Sequence, residues 1–408
     1  MATTFAYKVR DRSGKLVDGT IEADSQALVV GRLREMGYVP LQVTEQGSNL
    51  GQKEVKLPWS DRIKPKDLAV MSRQFATMIN SGLSLLRALN ILAEQTESPA
   101  LRRRLNDVRA DVERGQALSQ ALQKHPKAFN RLFVAMVRSG ETSGSLDSTL
   151  VRMAETLEKD NALRQKIKSA MTYPVAVFGM VILIVTAMLM FVVPMFEELY
   201  ADLGGTLPLP TRVLIGASNV ITKLWFLWFG AIIGGTIAFR RWKKTDAGRA
   251  VWDRIKLKVP IFGKLVHKTA LSRFSRTLSS LLKSGVPILG GLEIVRETVN
   301  NEVMGDAVRS VQTSVKEGSS LAKPLERHAV FPPMVVQMMQ VGEETGALDE
   351  MLEKIAEFYD QEVDATVDAL TSLIEPLLIA MMGASVGGMV VALYMPMFSI
   401  ITKIGDGG

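Results

Sequence analysis

Cysteine is absent from this 408-residue chain, which excludes disulfide scaffolding, thiolate metal sites and cysteine nucleophiles. Histidine is nearly so. His125, His267 and His328 lie far apart in sequence, and none has a partner at metal-ligand spacing. No G-x-x-x-x-G-K-[S/T] phosphate loop and no G-x-S-x-G elbow is present, so the chain reads as a non-enzyme without a cofactor. Residues 1–12 reach Arg10-Asp11-Arg12 without an apolar core, and no signal peptide is read there. The most telling absence is charge, which is missing from Ser169 to Phe196, from Leu224 to Phe239 and from Pro376 to Thr402. The first and third runs exceed the roughly 20 residues that cross a bilayer core. The middle run reaches that length only if extended upstream past a snorkelling Lys223; Trp225, Trp228 and Arg240-Arg241-Trp242 read as its interface anchors. With no ionisable residue at depth, these runs argue against proton or ion translocation.

What charge there is lies asymmetrically. Arg240 to Lys268 holds ten Lys or Arg against two Asp, and Arg164, Lys166 and Lys168 precede the first run, whereas Glu197 to Lys223 holds three acids and two bases. The positive-inside rule then predicts three spans, with residues 1–168 and 240–375 in the cytoplasm and 197–212 outside. The net charge of +7 is mostly this topology signal. Binding to nucleic acid is the competing reading, and it fails because the bases cluster beside spans instead of alternating with aromatics.

The second half of the chain repeats the first. Ser81-Gly82 and Gly115 return as Ser284-Gly285 and Gly318, 203 positions on; after one deletion Gly140-Glu141, Gly144 and Leu146-Asp147 return as Gly342-Glu343, Gly346 and Leu348-Asp349 at 202. The register holds into the apolar runs, where Pro174 and Pro194 map onto Pro376 and Pro396, the second proline of each pair followed by Met-Phe. A period this long is no solenoid. It marks a duplicated unit made of a soluble helical domain and a transmembrane helix.

The fold class is mainly α: a polytopic membrane protein with two repeated cytoplasmic six-helix bundles, three transmembrane helices and a small N-terminal ββαβ module. The expected divisions are the module at 1–50, a linker at 51–65, bundle 1 at 66–168, transmembrane helix 1 at 169–196 and a short external loop at 197–222. Transmembrane helix 2 follows at 223–239, a basic cytoplasmic linker at 240–268, bundle 2 at 269–371, transmembrane helix 3 at 372–402 and an external tail at 403–408. In the module, strands around Phe5–Val9, Lys15–Ile21 and Val39–Val43 flank a helix begun by Asp24-Ser25. A turn is predicted at Arg12-Ser13-Gly14 and a bend at Asp18-Gly19; Ala27, Leu28, Val30 and Leu33 form the apolar helix face. Gly47 to Pro58 is the polar stretch of the linker. In bundle 1, Leu68, Met71, Phe75 and Met78 repeat at helical spacing, and Leu86, Leu89 and Leu92 match Leu289, Leu292 and Val295 in bundle 2. Each bundle's last helix runs toward its span without a strong breaker.

The duplicated Gly140, Glu141, Gly144, Leu146, Asp147 and Gly342, Glu343, Gly346, Leu348, Asp349 strings have two readings. In one, the glycines end a helix and begin the next while the acids sit at the new helix's positive end. In the other, the carboxylates bind a cation or a basic partner group, although neither string has the oxygen density of a calcium loop. Pro174 and Pro376 read as helix entries or kinks. Gly230 and Gly234, like Gly383 and Gly387, stand at helix-packing spacing. Arg102, Arg103 and Arg104 form a basic face suited to an acidic partner.

These motifs together resemble one family. The N-terminal FAYKVRDRSGKLVDGTIEADSQALVVGRLREMGYVPLQV, the paired INSGLSLLRAL and LKSGVPILGGL, the paired RSGETSGSLD and QVGEETGALD and the two Pro-Met-Phe endings are similar to the inner-membrane platform proteins of type IV pili and type II secretion systems. The resemblance covers the whole chain. It implies a multi-pass bacterial inner-membrane protein with a cytoplasmic N-terminus, and it implies partners: a hexameric assembly ATPase, pilin or pseudopilin subunits, inner-membrane alignment components, membrane lipid and further copies of the chain. Some secretion members carry a metal ion on carboxylates of the first bundle. Glu97 and Glu141 are the candidates for that role here, without the rest of a ligand set. The alternative is a membrane receptor or scaffold with helical signalling domains, for which Glu197 to Lys223 is a short external region.

Overall fold

The computed structural model describes residues 3–10, 16–23, 26–45, 63–202, 208–260 and 262–405. They belong to two compact units, Met1–Arg62 and Ile63–Gly408. In the first, strands β1 (Thr3–Arg10), β2 (Leu16–Ala23) and β3 (Val39–Glu45) form an antiparallel sheet in the order β2-β1-β3, and helix α1 (Gln26–Glu35) links β2 to β3. Val9, Ala23, Val29 and Leu33 make its core. The expected helix face is corrected here, because Leu28 is 51% exposed while Val29, one turn before Leu33, is fully buried. Gly19 is likewise no bend. The strand continues through it, opposite Tyr7, and a Cβ there would come within 2.5 Å of the Tyr7 hydroxyl. The predicted turn at Arg12-Ser13-Gly14, the helix start at Asp24-Ser25 and the stretch from Gly47 to Pro58 lie outside the described residues.

The second unit opens with α2 (Pro65–Asn80), α3 (Leu85–Gln95), α4 (Pro99–Glu113), α5 (Leu118–Gln123), α6 (Arg131–Ser143) and α7 (Leu146–Ala187). Amphipathic spacing turns Phe75, Leu89, Leu92, Leu101, Leu105 and Phe133 inward. Leu86 is corrected from this stripe: it sits at the outer edge and is 40% exposed. Ser98 caps α4 by accepting from the Leu101 amide, next to Pro99 at the first helical position. The same plan returns in α12 (Phe262–Lys283), α13 (Ile288–Thr298), α14 (Glu302–Lys316), α15 (Ala322–Leu325), α16 (Pro333–Thr345) and α17 (Leu348–Gly405).

Both bundle-closing helices run on into apolar sequence, α7 for 42 residues and α17 for 58. Two helical stretches, Leu146–Glu198 and Leu348–Phe398, are long and apolar enough to cross a membrane. The reading of Pro174 and Pro376 as helix entries is corrected, since both lie inside these helices; hydrogen bonds on either side carry a long helix past one missing donor. A π-helical segment, Met188–Val192, joins α7 to α8 (Val193–Asp202). The expected loop at 197–222 is also corrected. It contains the end of α8 and then α9 (Leu209–Lys223), which buries Thr211, Ile215 and Ser218 along one face. Helix α10 (Trp225–Trp242) meets α9 at 74°, and the basic linker contains α11 (Asp246–Lys258).

Candidate functional site: the duplicated junction

Each bundle is closed by a glutamate that reaches back to a short helix. Glu141, inside α6, accepts hydrogen bonds from the Leu118 and Ser119 amides at 2.5 and 3.0 Å; Glu343, inside α16, accepts from Leu321 at 2.8 Å and Ala322 at 3.2 Å. First-turn amides have no partner within their own helix, and a carboxylate satisfies both their donors and the positive helix end. These glutamates therefore cap the preceding short helix and not the one after it, which corrects half of the reading from sequence. Asp147 and Asp349 do lie in the first turns of α7 and α17. Gly144 and Gly346 end α6 and α16 in the left-handed conformation, with φ of 71° and 75°. Gly140 and Gly342 do not end a helix; they let the next one approach, and a Cβ would lie 3.1 Å from Leu146 Cα and 2.9 Å from Leu348 Cα. Leu146 and Leu348 then pack against the bundle core.

A second duplicated device ties each bundle's first helix to its last. Arg73 on α2 bonds Glu158 on α7, with Nε to Oε1 at 2.7 Å; Arg276 on α12 bonds Asp360 on α17. The guanidinium holds the Glu158 carboxyl below its ordinary range. Sequence reasoning missed these pairs, although Arg73 and Arg276 are 203 apart and Glu158 and Asp360 are 202 apart, the registers of the glycine strings.

The bundles also meet each other. Asp160 on α7 takes both Nε and Nη2 of Arg273 on α12, at 3.1 and 2.7 Å. Burial would push the Asp160 carboxyl up, but Arg273 and Arg164 outweigh it and hold the group below the usual carboxylate range. Thr156 and Ser280 hydroxyls lie 2.8 Å apart, the Ser139 hydroxyl reaches the Ser284 carbonyl at 2.5 Å, and Arg131 pairs with Glu297 at 2.7 Å. Nearer the apolar sequence, Leu163 and Ile167 pack on Val363, Val367 and Leu370. A cleft of about 860 Å³ opens beside the junction, lined by Arg152, Lys159, Arg276 and Lys283 and by Glu155, Asp349, Glu350, Glu353 and Glu357. Its mixed charge suits structural ion pairing, such as Lys283 with Glu353.

At the far end the long helices are held together through α9. Pro396 has no N–H, so the carbonyl four residues earlier, that of Ala392, loses its helical donor. The Thr211 hydroxyl supplies one at 2.5 Å. In the other repeat the Val193 amide bonds Met188, leaving the next carbonyl, Leu189, to look to residue 194. That residue is Pro194, and the Ser218 hydroxyl fills the gap at 2.5 Å. Both hydroxyls are buried, and they stand seven residues apart on one face of α9. The neighbourhoods of both prolines thus join one apolar cluster of Leu189, Val193, Ile215, Met389 and Leu393.

The remaining residues singled out from sequence are scattered. A Cβ added at Gly230, Gly234, Gly383 or Gly387 would meet nothing within 4 Å, so among the described residues no helix approaches closely at these positions. Glu97 is exposed, Glu141 is committed to backbone amides, and no group of three His, Cys, Asp or Glu able to hold a metal ion occurs among the described residues. Arg102 donates to the Thr96 carbonyl, Arg103 to the Pro99 carbonyl, and Arg104 lies 4.0 Å from Asp107.

Comparison with known proteins places this architecture. The model of type II secretion system protein F matches residues 71–194 and again 274–396, and the model of that protein's N-terminal domain matches residues 1–44. The chain is 46% identical to the type IV pilus assembly protein PilC of Thermus thermophilus over 97% of its length and 98% of that protein. It is 39% identical to PilC of Myxococcus xanthus, over 98% and 95% of the two chains, and 38% identical to type II secretion system protein F of Pseudomonas aeruginosa, over 86% and 87%. Two matches to one family model, in the register of the internal repeat, show that the chain belongs to the type II secretion system protein F family, which includes the pilus assembly proteins PilC.

Proposed function

We propose that this platform protein of the type IV pilus and type II secretion family transmits the work of a cytoplasmic assembly ATPase to pilin-like subunits in the inner membrane. The observation that carries the proposal is the continuity of α7 and α17, each of which starts inside a bundle and continues into apolar sequence. A shift of a bundle therefore moves its span. The ATPase would meet the bundles, with Arg102, Arg103 and Arg104 as a basic docking face, while subunits and alignment components would meet the apolar helices and the chain would work as a homo-oligomer. A role as a mechanical adaptor, and not as a catalyst, agrees with the structural ion pairing of the junction cleft.

Three spans and a cytoplasmic N-terminus belong to this proposal. Bundles joined by the Asp160–Arg273 pair must lie on one side of the membrane. A chain that leaves through α7 has to return before α12, and α9 with α10 is the apolar segment between them. The basic residues after α10 favour the cytoplasm for that side. Four glycines inserted between Lys168 and Ser169 test the coupling. The variant is expected to insert, fold and retain the ATPase in pull-downs but to assemble no filaments and secrete no substrate. Normal assembly would refute transmission through the helix.

A further inference from the structure

The contact between the two bundles is head-to-tail. Bundle 1 contributes α6 and α7, through Arg131, Ser139 and Thr156, whereas bundle 2 contributes α12, the turn after it and α13, through Ser280, Ser284 and Glu297. Farther along, Leu163 and Ile167 of α7 pack on the Val363, Val367 and Leu370 side of α17. The surfaces around Thr156 and Ser280 are not repeat-equivalent, so the tandem pair leaves one face of each kind unused: α2 with α3 on bundle 1, and α16 with the Phe358 side of α17 on bundle 2. Among the described residues, the exposed large apolar side chains of the bundles, apart from Phe262 at the start of α12, fall on these two faces. Phe358, equivalent to the buried Thr156, is 43% exposed, and Val341, equivalent to Ser139, is 49% exposed. On the other face Val70 is 48% exposed where its counterpart Arg273 is paired with Asp160, and Leu86 is exposed where its counterpart Leu289 is half-buried.

We propose that the α16–α17 face of one chain docks on the α2–α3 face of a second copy, repeating between chains the contact that joins the bundles within a chain. Phe358 takes the place of Thr156 and meets Thr77, the counterpart of Ser280; Val341 takes the place of Ser139 and meets Ser81, the counterpart of Ser284. Apolar side chains stand where the internal contact is polar, as suits the centre of an interface between molecules. Both repeats run from bundle to apolar helix, so the step from one to the next keeps the direction of the membrane normal, and further copies fit in one bilayer. A head-to-tail contact of this kind closes into a ring or continues, according to its rotation.

The proposal supplies the surface for the self-association included in the proposed function and rests on that part of it. Single-cysteine variants Thr77→Cys and Phe358→Cys of the full-length, cysteine-free chain, reconstituted in lipid nanodiscs or vesicles, test it with a short bifunctional maleimide. Covalent dimers are expected only when the two variants are mixed before reconstitution, with neither giving them alone. Dimers from either variant alone would mean a twofold contact and overturn the proposal. In parallel, Val341→Asp combined with Phe358→Lys is expected to shift the native mass of the solubilised protein down by at least one subunit, with circular dichroism unchanged. An oligomer that persists unchanged, without mixed crosslinks, overturns the proposed surface while self-association stands. A wild-type chain that is monomeric in lipid removes both.

Discussion

Removing the Thr211 hydroxyl is the sharpest test of how the apolar helices are joined. In Thr211→Val the Ala392 carbonyl stays buried but loses its donor, and Pro396 leaves the helix none to offer. An unpaired buried polar group costs about 1–3 kcal/mol, whereas hydrogen bonds between membrane helices average about 0.6 and reach about 1.7 kcal/mol. With no alternative donor, the upper part of the membrane range applies. The expected loss is about 1.5 kcal/mol, roughly tenfold in the folding equilibrium. Pro396→Ala returns an N–H to that carbonyl, so in its background Thr211→Val should cost much less, giving a coupling of about 1 kcal/mol in a double-mutant cycle. Unfolding of the reconstituted chain in bicelles, followed by tryptophan fluorescence, measures all four species. Thr222→Val is the control, because the Thr222 hydroxyl bonds a carbonyl of its own helix. Additive losses, or a Thr222→Val cost equal to that of Thr211→Val, would refute the reasoning.

The other junction devices make separate predictions. Glu141→Ala and Glu343→Ala each uncap a short helix and are expected to cost about 1.5–3 kcal/mol in thermal unfolding of the solubilised chain; wild-type stability would show the amides to be satisfied otherwise. Asp160, whose folded carboxyl is held below its ordinary value, contributes stability in full above the unfolded value of about 4, and that contribution disappears as pH falls through the folded value. Denaturation of wild type and Asp160→Asn should therefore differ at pH 7 and converge below about pH 4, and a gap that stays constant contradicts the ion pair. For topology, Leu209→Cys is expected to react with an impermeant maleimide in intact cells and Glu317→Cys only after permeabilisation. Equal labelling of the two rejects three spans.

The repeat, the bundle helices and the long apolar runs were legible because each is written in residues that are neighbours along the chain or share one register. Helix ends marked by glycine in the left-handed conformation were legible for the same reason. The target of Glu141 was not, because it is a pair of backbone amides 22 and 23 residues back, and any residue type carries such amides. Arg73–Glu158 and Arg276–Asp360 were readable in principle, as charges that keep their sign across the repeat register, but charges on helices are so common that only the distance between α2 and α7 distinguishes them. Thr211 and Ser218 were concealed more thoroughly. Their importance depends on carbonyls that prolines leave free in helices 181 and 29 residues away. Leu86 shows the limit of periodicity, which finds the apolar stripe but not the edge at which packing stops.

The π-helical segment Met188–Val192 gives the two repeats different outer halves. Pro174 to Pro194 and Pro376 to Pro396 have equal residue counts, yet only the first stretch has a widened turn, which acts on the helical wheel as one extra residue and rotates the rest of the helix by about 100°. Side-chain exposure differs accordingly: Met195 is 71% exposed and Phe196 turns inward to an edge contact with Tyr394, whereas in the second repeat Phe398 is 69% and Met397 44% exposed. The same Met-Phe pair thus offers chiefly a thioether to the surroundings on one helix and an aromatic ring beside the thioether on the other. A duplication of one unit has produced two apolar ends whose outward faces differ in chemistry although their sequences stay in register.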